Sequence, residues 1–519
     1  MGLLDFFKKK PAPSSQGSSE AWQNGYAMAL QDARGGYAGG RLDRFTFDFN
    51  PALQSPLSMG RLNEPLLRRR AYELVENNPF AAAAVNAYIA NVIECGIEAY
   101  RDDEWEKEWN RWSGTTPHGE PYCDLARLQT LPEMMATFLY ECIVAGSILT
   151  IRKPVARKSQ RVPLALQFKG RDWFRDEIDS FSQANNPKTA NRVIQGIEIE
   201  QATGRHVAFH VYRYHPSDEK FDPTESIRIS AEVAKYSRLP EGRLGGFHGV
   251  TKLRTALLHI YGLGHFFDNE LEASKQKSSF SMVMTRAGDW QGGGNLSSDS
   301  CLTDLNGNPI TELQRGMIAN LGPGGEIKGV GPNVPPGDAV GWAMFIERTI
   351  ALGMDLSFES MFRNYSEANF SANRMSLSQD KKRFLKLQWW VVNQFLSPTM
   401  AAFDLAAVGE GLFGFPGREE FLAQRDEIYD GHEWQPPVWE SPNPREDAAA
   451  NDLGLRNGTL ARAEVIKRDG RRPNKVFEAI EAEQDVPVLA LPAPAAADPA
   501  ADASHNDTPA KKKPQGVTR

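Results

Sequence analysis

The Gly-rich segment GPGGEIKG, residues 322–329, has residue types and spacing that suggest phosphate binding. A phosphate loop needs a lysine followed by serine or threonine, because the lysine reaches the β and γ phosphates and the hydroxyl ligates Mg²⁺. Here Lys328 is followed by Gly329, and no hydrophobic strand precedes the segment. We therefore expect a turn-rich loop and no nucleotide chemistry.

Two histidines and a run of acids raise the question of a metal site. His206 and His210 have the i, i+4 spacing of a helical zinc pair, but the alternation around them predicts a strand, in which four residues span ~13 Å. Acidic residues crowd between Asp102 and Glu108, on one predicted helix that also carries tryptophans. Two-metal chemistry needs carboxylates from different elements, so a solvated charged face is the favoured interpretation.

The sequence has neither H-E-x-x-H nor the nucleophile elbow G-x-S-x-G. Together with the weak phosphate and metal candidates, this predicts no catalytic, cofactor-binding or metal-binding residues. We expect the chain not to be an enzyme.

A basic cluster beside a polar loop is the remaining candidate. The residues 362–373, FRNYSEANFSAN, form the loop. The cations are Arg363, Arg374, Lys381, Lys382, Arg383 and Lys386. One interpretation is a small positive girdle that touches phosphate without gripping it; the alternative is an ordinary helix surface.

Composition limits what this cluster can do. The chain has 519 residues, with 59 basic against 66 acidic side chains and a formal charge of −7, the wrong sign for tight binding to nucleic acid. No stretch reaches the ~18 apolar residues of a membrane span, and no signal peptide is recognisable at the start, so we expect a soluble protein without a membrane partner. The cysteines fit neither a disulfide framework nor a zinc site and favour a reducing cytoplasm; they are Cys95, Cys123, Cys142 and Cys301.

Hydrophobic periodicity predicts an α+β protein with several parts. After a Gly/Ser-rich arm, the chain is predicted to form helices, the first with Pro65 at its first helical position. Asn77-Asn78-Pro79 interrupts them. A β-rich segment covers 162–236 with a turn at Gly204, and a loop-heavy insertion lies at 286–336 between two helices. The longest predicted helix, 375–396, is apolar nearly all round and should be buried on most sides, and three short helices precede a disordered tail.

Several strings, in their shared order, resemble the lambda-type family of bacteriophage portal proteins. The resemblance covers roughly residues 60–485, and the strongest string ends in Asn369, Phe370, Ser371 and Arg374, where the family has Asn-Tyr-Ser-Ser-x-Arg. Departures are Ala372 for the second Ser and Tyr236 where a His is common. The strings are LLRRRAYELVENNPFAAAAVNAYIANVIECGI (66–97), ECIVAGSILTIR (141–152), GIEIEQATGRHVAFHVY (196–212), RISAEVAKYSR (228–238) and PPGDAVGWAMFIERTIALGMDLSFESMFRNYSEANFSANR (335–374).

The resemblance implies a portal fold, with helical wing, stem and crown, a β-rich wing portion and a small clip, in a ring of usually about twelve subunits around a central channel. Carried over, the parts are an arm (1–62), wing (63–249), first stem helix (250–279), clip (280–336), second stem helix (337–360), tunnel loop (361–374), wing helix with its connection (375–444), crown (445–484) and disordered tail (485–519).

The implied function is a channel at one capsid vertex, present in the virion and, during assembly, in the host cytoplasm. Its partners would be double-stranded viral DNA, held loosely, the terminase large subunit, capsid or scaffold proteins, and head-tail adaptor or neck proteins. Alternatives are a non-channel capsid or head-tail adaptor or scaffold protein, and a packaging nuclease or ATPase. The residues expected to face DNA are Arg363, Asn364, Tyr365, Ser366, Asn369, Phe370, Ser371, Asn373, Arg374, Lys381, Lys382, Arg383 and Lys386.

Overall fold

The computed structural model describes residues 54–155, 159–179, 191–219, 221–222, 224–241, 245–279, 283–286, 325–328, 339–365, 370–415, 417–439 and 443–484. The chain divides into two compact units. The smaller comprises Met1–Leu66 and Gly242–Phe247, of which the described part is mainly the first half of a helix. The larger comprises Leu67–Glu241 and His248–Arg519 and contains the elements discussed below. The predicted arm and tail lie almost wholly outside the described residues.

Two consecutive helices open the described chain, α1 (Pro56–Asn77) and α2 (Pro79–Val92). The predicted break between them is confirmed: the Asn78 side chain caps α2 by accepting from the backbone N–H groups of Phe80 and Ala81. The predicted start of α1 is wrong, because the helix begins at Pro56 and holds Pro65 in its interior. A proline there has no N–H for the carbonyl four residues earlier, yet the helix continues on both sides.

A tryptophan-bearing helix and a buried helix follow. They are α3 (Asp103–Ser113), preceded by the short strand β1 (Glu98–Tyr100), and α4 (Leu131–Val144). The buried face of α3, with Trp105, Trp109 and Trp112, packs on Phe403 from a distant helix. This packing contributes to the main core of the larger unit.

The predicted β-rich region is confirmed and is built from two antiparallel sheets. One has the order β3-β2-β8, from Ser147–Pro154 (β2), Leu164–Gly170 (β3) and Ala234–Arg238 (β8). The other has the order β4-β5-β6-β7, from Asn191–Ile194, Ile197–Glu200, His206–Tyr212 and Ser226–Ser230. Strand β2 lies before the predicted region. The sequence did not reveal it because its first five residues are all buried and show no alternation of apolar and polar side chains.

A close backbone crossing lies where α4 passes into β2. Gly146 has φ +86°, and a Cβ placed on Gly249 would lie 1.9 Å from the Gly146 carbonyl oxygen. Neither position can carry a side chain without moving the other backbone. The crossing therefore requires glycine twice.

The predicted stem helices correspond to α5 (Leu257–Ser279) and α6 (Ala339–Met354). Between them, β9 (Val283–Arg286) pairs antiparallel with β10 (Gly325–Lys328). The residues 325–328 of the Gly-rich segment therefore form a strand, and the predicted turn-rich loop is wrong there. The rest of the predicted clip lies outside the described residues.

A short helix α7 (Phe358–Phe362) precedes the long helix α8 (Phe370–Val391), which continues through a π-helical turn (Val392–Leu396) into α9 (Ser397–Gly409). The prediction that α8 is buried on most sides is wrong for one row: Leu385 and Trp389 are exposed, although Val392 and Leu396 beyond them are buried. The π-helical turn adds a residue to the helical repeat, so a row read at regular α spacing does not stay on one face.

The C-terminal part consists of short elements. After α9 come α10 (Arg418–Ala423), α11 (Arg425–Asp430) and the strand β11 (Glu433–Gln435), which pairs with β1. The three predicted terminal helices are confirmed as α12 (Pro444–Arg456), α13 (Arg462–Arg468) and α14 (Pro473–Gln484).

Candidate nucleic-acid interface

The polar loop begins where α7 ends. Arg363 caps α7 in a left-handed conformation, φ +53°, and its backbone N–H bonds the Glu359 carbonyl at 3.0 Å. The side chains of Arg363 and Tyr365 are exposed and that of Asn364 is half-buried. The described part of the loop therefore presents a guanidinium and a phenol to its surroundings.

The loop is shorter than predicted, because α8 begins at Phe370 and not at Met375. Serine, asparagine and aspartate are common at helix starts, so the composition of this stretch did not distinguish a loop from a first helical turn. Phe370, Ser371 and Asn373 lie in the first turns of α8, and their side chains are outside the described part. Ser366 and Asn369 lie wholly outside it.

A buried carboxylate holds the two flanks of the loop together. Asp380 on α8 has no exposed surface. Its oxygens accept from Ser357 Oγ at 2.6 Å and Ser360 Oγ at 2.7 Å, and from the Ser357 backbone N–H at 3.2 Å. These bonds fasten the first turn of α7 to the middle of α8. The sequence prediction did not include Asp380; its only signal is a lone acid beside Lys381, Lys382 and Arg383.

Two of the predicted girdle cations are engaged within the chain. Arg383 Nη1 lies 3.0 Å from Asp380 Oδ1, and its Nε lies 3.0 Å from Asp355 Oδ1. Arg374 Nη1 lies 3.2 Å from Glu446 Oε2, on α12. Arg383 therefore completes the Asp380 cluster, whereas Arg374 forms an exposed pair that is weak in water and open to exchange.

The lysines divide into two environments. Lys381 is half-buried, with Nζ 5.8 Å from the centre of the Trp439 ring. Lys382 and Lys386 are exposed on the same face of α8 as Leu385 and Trp389. At 1.5 Å per residue, Lys386 lies about 18 Å along the helix from Arg374. The cations predicted as one girdle are therefore divided between two places. Arg363 and Arg374 lie at the loop end, and Lys382 and Lys386 lie on a separate face of α8.

The histidines are on strand β6, as predicted. His210 Nε2 lies 3.5 Å from Glu198 Oε2, and burial lowers the pKa of both His206 and His210. Among the residues that the structure describes, no group of three or more histidines, cysteines or acids is placed to hold a metal ion.

The predicted solvated acidic face of α3 is wrong for two of its members. Glu106 and Glu108 are buried and pair with Arg472 and Arg161. Asp102 is the N-cap of α3 and accepts from the Trp105 backbone N–H at 2.8 Å. The partners that bury these acids are 53 and 366 residues away along the chain, which explains why local spacing did not reveal them.

In the described part of the chain, no helix is both long and apolar enough to cross a bilayer. Of the cysteines described there, Cys95 is exposed, Cys123 and Cys142 are buried, and all three are free thiols.

Comparison with known proteins adds a family match. Residues 43–388 match the model of the family described as phage portal protein, lambda family. The probable portal protein of Halomonas phage phiHAP-1 is 21% identical over 431 residues, which are 80% of this chain and 79% of that protein. A chain from the neck of a native gene transfer agent particle is 13% identical with a TM-score of 0.39, covering 77% of this chain and 92% of that one. A chain from the virion of that kind of particle is 12% identical with a TM-score of 0.41, covering 83% and 98%.

Proposed function

Because this chain belongs to the lambda family of phage portal proteins, we propose that about twelve copies of it close into a ring whose central channel passes double-stranded viral DNA during packaging and ejection. The family is one of structural portal proteins and not of enzymes. The ring would occupy one vertex of the capsid in the virion, after assembly in the host cytoplasm.

The observation that carries the ring is an apolar stripe on α6. Trp342, Phe345 and Leu352 lie on one side of this helix and are all exposed, and the rings of Trp342 and Phe345 stack at 5.7 Å; Leu352 lies two turns beyond Phe345. The neighbouring helix α5 also exposes Leu258 and Tyr261. Several large exposed apolar side chains on one side of a helix are typical of a protein interface. A head-to-tail contact between copies would bury it and close by rotation.

Within the channel we assign DNA contact to the loop end of the predicted girdle. Arg363 and Tyr365 are exposed there, and Arg374 forms exposed ion pairs with Glu446 and Asp447. Asp380 joins α7 to α8, so the base of the loop is held in place beside the proposed DNA contact. Ser366, Asn369, Phe370, Ser371 and Asn373 belong to the same proposed surface. One or two cations per subunit on an acidic chain give loose contacts, which favour sliding.

The remaining parts follow the family pattern in this proposal. The clip, 280–336, would dock the terminase large subunit during packaging and head-tail adaptor or neck proteins afterwards. The wing, 63–249 with 375–444, would face capsid or scaffold proteins, and 445–484 would form the crown.

Mass photometry of the purified chain tests the ring. We expect a species near 690 kDa for twelve subunits of 57.7 kDa, and an axial hole in negative-stain images. Leu352→Ser should deplete this species, whereas Leu128→Ser should not; both leucines are 80% exposed, and only Leu352 lies in the stripe. A wild-type chain that stays at 57.7 kDa would refute the ring, and a particle without a hole would favour the adaptor or scaffold alternative.

A further inference from the structure

One face of α8 is apolar at its centre and basic at its rim. Leu385 and Trp389, one helical turn apart, are 41% and 52% exposed. Lys382 precedes Leu385 by about one turn and Lys386 lies between Leu385 and Trp389; this i, i+3, i+4 and i+7 spacing places all four side chains on one side of the helix, with both lysines along one edge. The opposite side of α8, with Phe384, Leu387 and Val391, is buried in the core. We call the exposed side the basic face.

The terminal helix α14 carries a face with the opposite charge. Phe477 and Ile480 are 37% and 46% exposed, and Glu478 and Glu481 are exposed beside them. This acidic face is about as long as the apolar part of the basic face, because both place two apolar side chains within one helical turn.

The inner side of α14 is already committed to the chain's own α3. Arg472 pairs with Glu106 and stacks on the Tyr100 ring, and Lys475 Nζ lies 3.6 Å from the Glu106 carboxylate. Lys475 is two residues from Phe477, or about 200° around the helix. Phe477, Ile480 and Glu481 therefore point away from α3, whereas Glu478, at i+3 from Lys475, lies at the edge of the acidic face.

The helices α12 to α14 lack a core of their own. Within the described residues 443–483 no side chain is buried, and Leu455, Leu460, Val465 and Ile466 are only half-buried. A helical segment of this size without buried side chains is marginal in isolation, so it needs a further surface to pack against.

We propose that, in the ring, the basic face of α8 on one copy docks against the acidic face of α14 on the next copy. The contact rests on the proposed ring and adds to it a second head-to-tail interface, apart from the α6 stripe. Trp389 is its anchor, since a tryptophan rimmed by charge is typical of the centre of protein interfaces. The two lysines oppose Glu478 and Glu481 and select the register.

The same lysines were expected to face DNA, and the structure favours a protein partner for them. Lys382 and Lys386 lie about 12 and 18 Å along α8 from Arg374 at the loop end, and the exposed Leu385 lies between them. A phosphate backbone has no apolar surface that could pack against Leu385, whereas a second apolar helix face has one.

Charge exchange tests the docking. The variants are Lys382→Glu/Lys386→Glu, Glu478→Lys/Glu481→Lys, and the four changes together. We expect each double variant to lower the ring population about tenfold at fixed concentration, because like charges then oppose each other, and the combined variant to recover most of it. Lys107→Glu/Arg111→Glu, on exposed positions of α3, makes the same change in net charge elsewhere and should leave the ring population unchanged.

A cross-link gives a second measurement on the full chain. In a Cys95→Ser/Cys301→Ser background, Trp389→Cys with Phe477→Cys should join neighbouring copies into a disulfide ladder that neither single cysteine variant produces. Rings that form but give neither rescue nor ladder would overturn the docking while leaving the ring intact. If Lys382→Glu/Lys386→Glu instead keeps the ring and weakens binding of a short duplex, the face belongs to DNA and the docking is wrong. A wild-type chain that forms no ring refutes the proposed function, and the docking with it.

Discussion

The indole Nε1 of Trp105 donates a 2.6 Å hydrogen bond to Oδ1 of Asp404, a carboxylate with no exposed surface. Arg101 Nη1 lies 3.6 Å from the same oxygen, and His432 Nε2 lies 3.9 Å from the other. Residues from α3, α9 and the segment before β11 therefore meet at one buried carboxylate. Their protonation should control how firmly these elements hold together.

Asp404 should make stability fall as pH rises. Burial raises its pKa to about 6 from 3.8, so the folded protein holds the proton more tightly than the unfolded chain. The stability from this group is complete below pH 3.8 and is lost as pH rises through about 6. Between pH 4 and 7, wild type should therefore lose about 2 kcal/mol of unfolding free energy relative to Asp404→Asn.

Urea unfolding followed by tryptophan fluorescence measures this difference. Asp426→Asn changes an exposed carboxylate on α11 and should show no such gain. Parallel pH profiles for wild type and Asp404→Asn would contradict the assignment.

His432 should act in the opposite direction. Burial lowers its pKa to about 4 from 6.5, so the folded protein resists protonation of the ring. The stability from this group is complete above pH 6.5 and is lost as pH falls through about 4. Between pH 7 and pH 4, the unfolding free energy of His432→Gln should therefore fall by up to about 3 kcal/mol less than that of wild type. His259→Gln, at an exposed position on α5, should retain the wild-type pH profile.

Asp380→Ala should loosen the base of the polar loop. The change removes the carboxylate that accepts hydrogen bonds from the Ser357 and Ser360 hydroxyls and pairs with Arg383. The unfolding free energy should fall by about 2–4 kcal/mol. Hydrogen exchange should rise over residues 355–365 in the same variant. Asp452→Ala, at an exposed acid on α12, should change neither quantity; equal exchange in the two variants would count against the clamp.

Glu106→Gln should release the terminal helices from α3. The carboxylate pairs with both Arg472 and Lys475, and it is mostly buried. Limited proteolysis should cut within 444–484 several-fold faster in this variant. Glu104→Gln, at an exposed position of the same helix, is the matched control, and equal cleavage of the two variants would show that α14 is held by other contacts.

Arg363→Ala should weaken DNA binding by the assembled ring without affecting assembly. Each lost phosphate contact should reduce the slope of log affinity against log salt by about 0.9. Fluorescence anisotropy with a short duplex at several salt concentrations measures this slope. Lys382→Ala/Lys386→Ala should leave it unchanged, because we assign those lysines to a protein contact. A smaller slope in the lysine variant, with the wild-type slope in Arg363→Ala, would reverse the assignment.

Local sequence signals predicted most elements and few of the contacts. The break at Asn78, the tryptophan face of α3 and the three terminal helices each depend on residues within one or two turns, so the sequence revealed them. Strand β2 was missed because it is buried on both sides. The exposure of Leu385 and Trp389 was missed because a helix that is apolar nearly all round does not reveal which side meets the core.

The sequence named the residues of the candidate site but did not reveal their contacts. Arg363 and Tyr365 are exposed at the predicted loop, whereas Arg374 and Arg383 are committed to carboxylates 72 and 28 residues away along the chain. No periodicity joins positions so far apart. Asp380, which organises the loop base, is in the sequence only a lone acid beside a basic run, and its role depends on the packing of α7 against α8.

The crossing of Gly146 and Gly249 has a consequence for sequence comparison. Each glycine is required by the backbone of the other, so a relative that keeps this crossing must keep both, and a relative that has lost one is free to lose its partner. The two positions should therefore vary together across the family, and the pair can serve as a marker for this branch of the fold in sequences too divergent to align elsewhere.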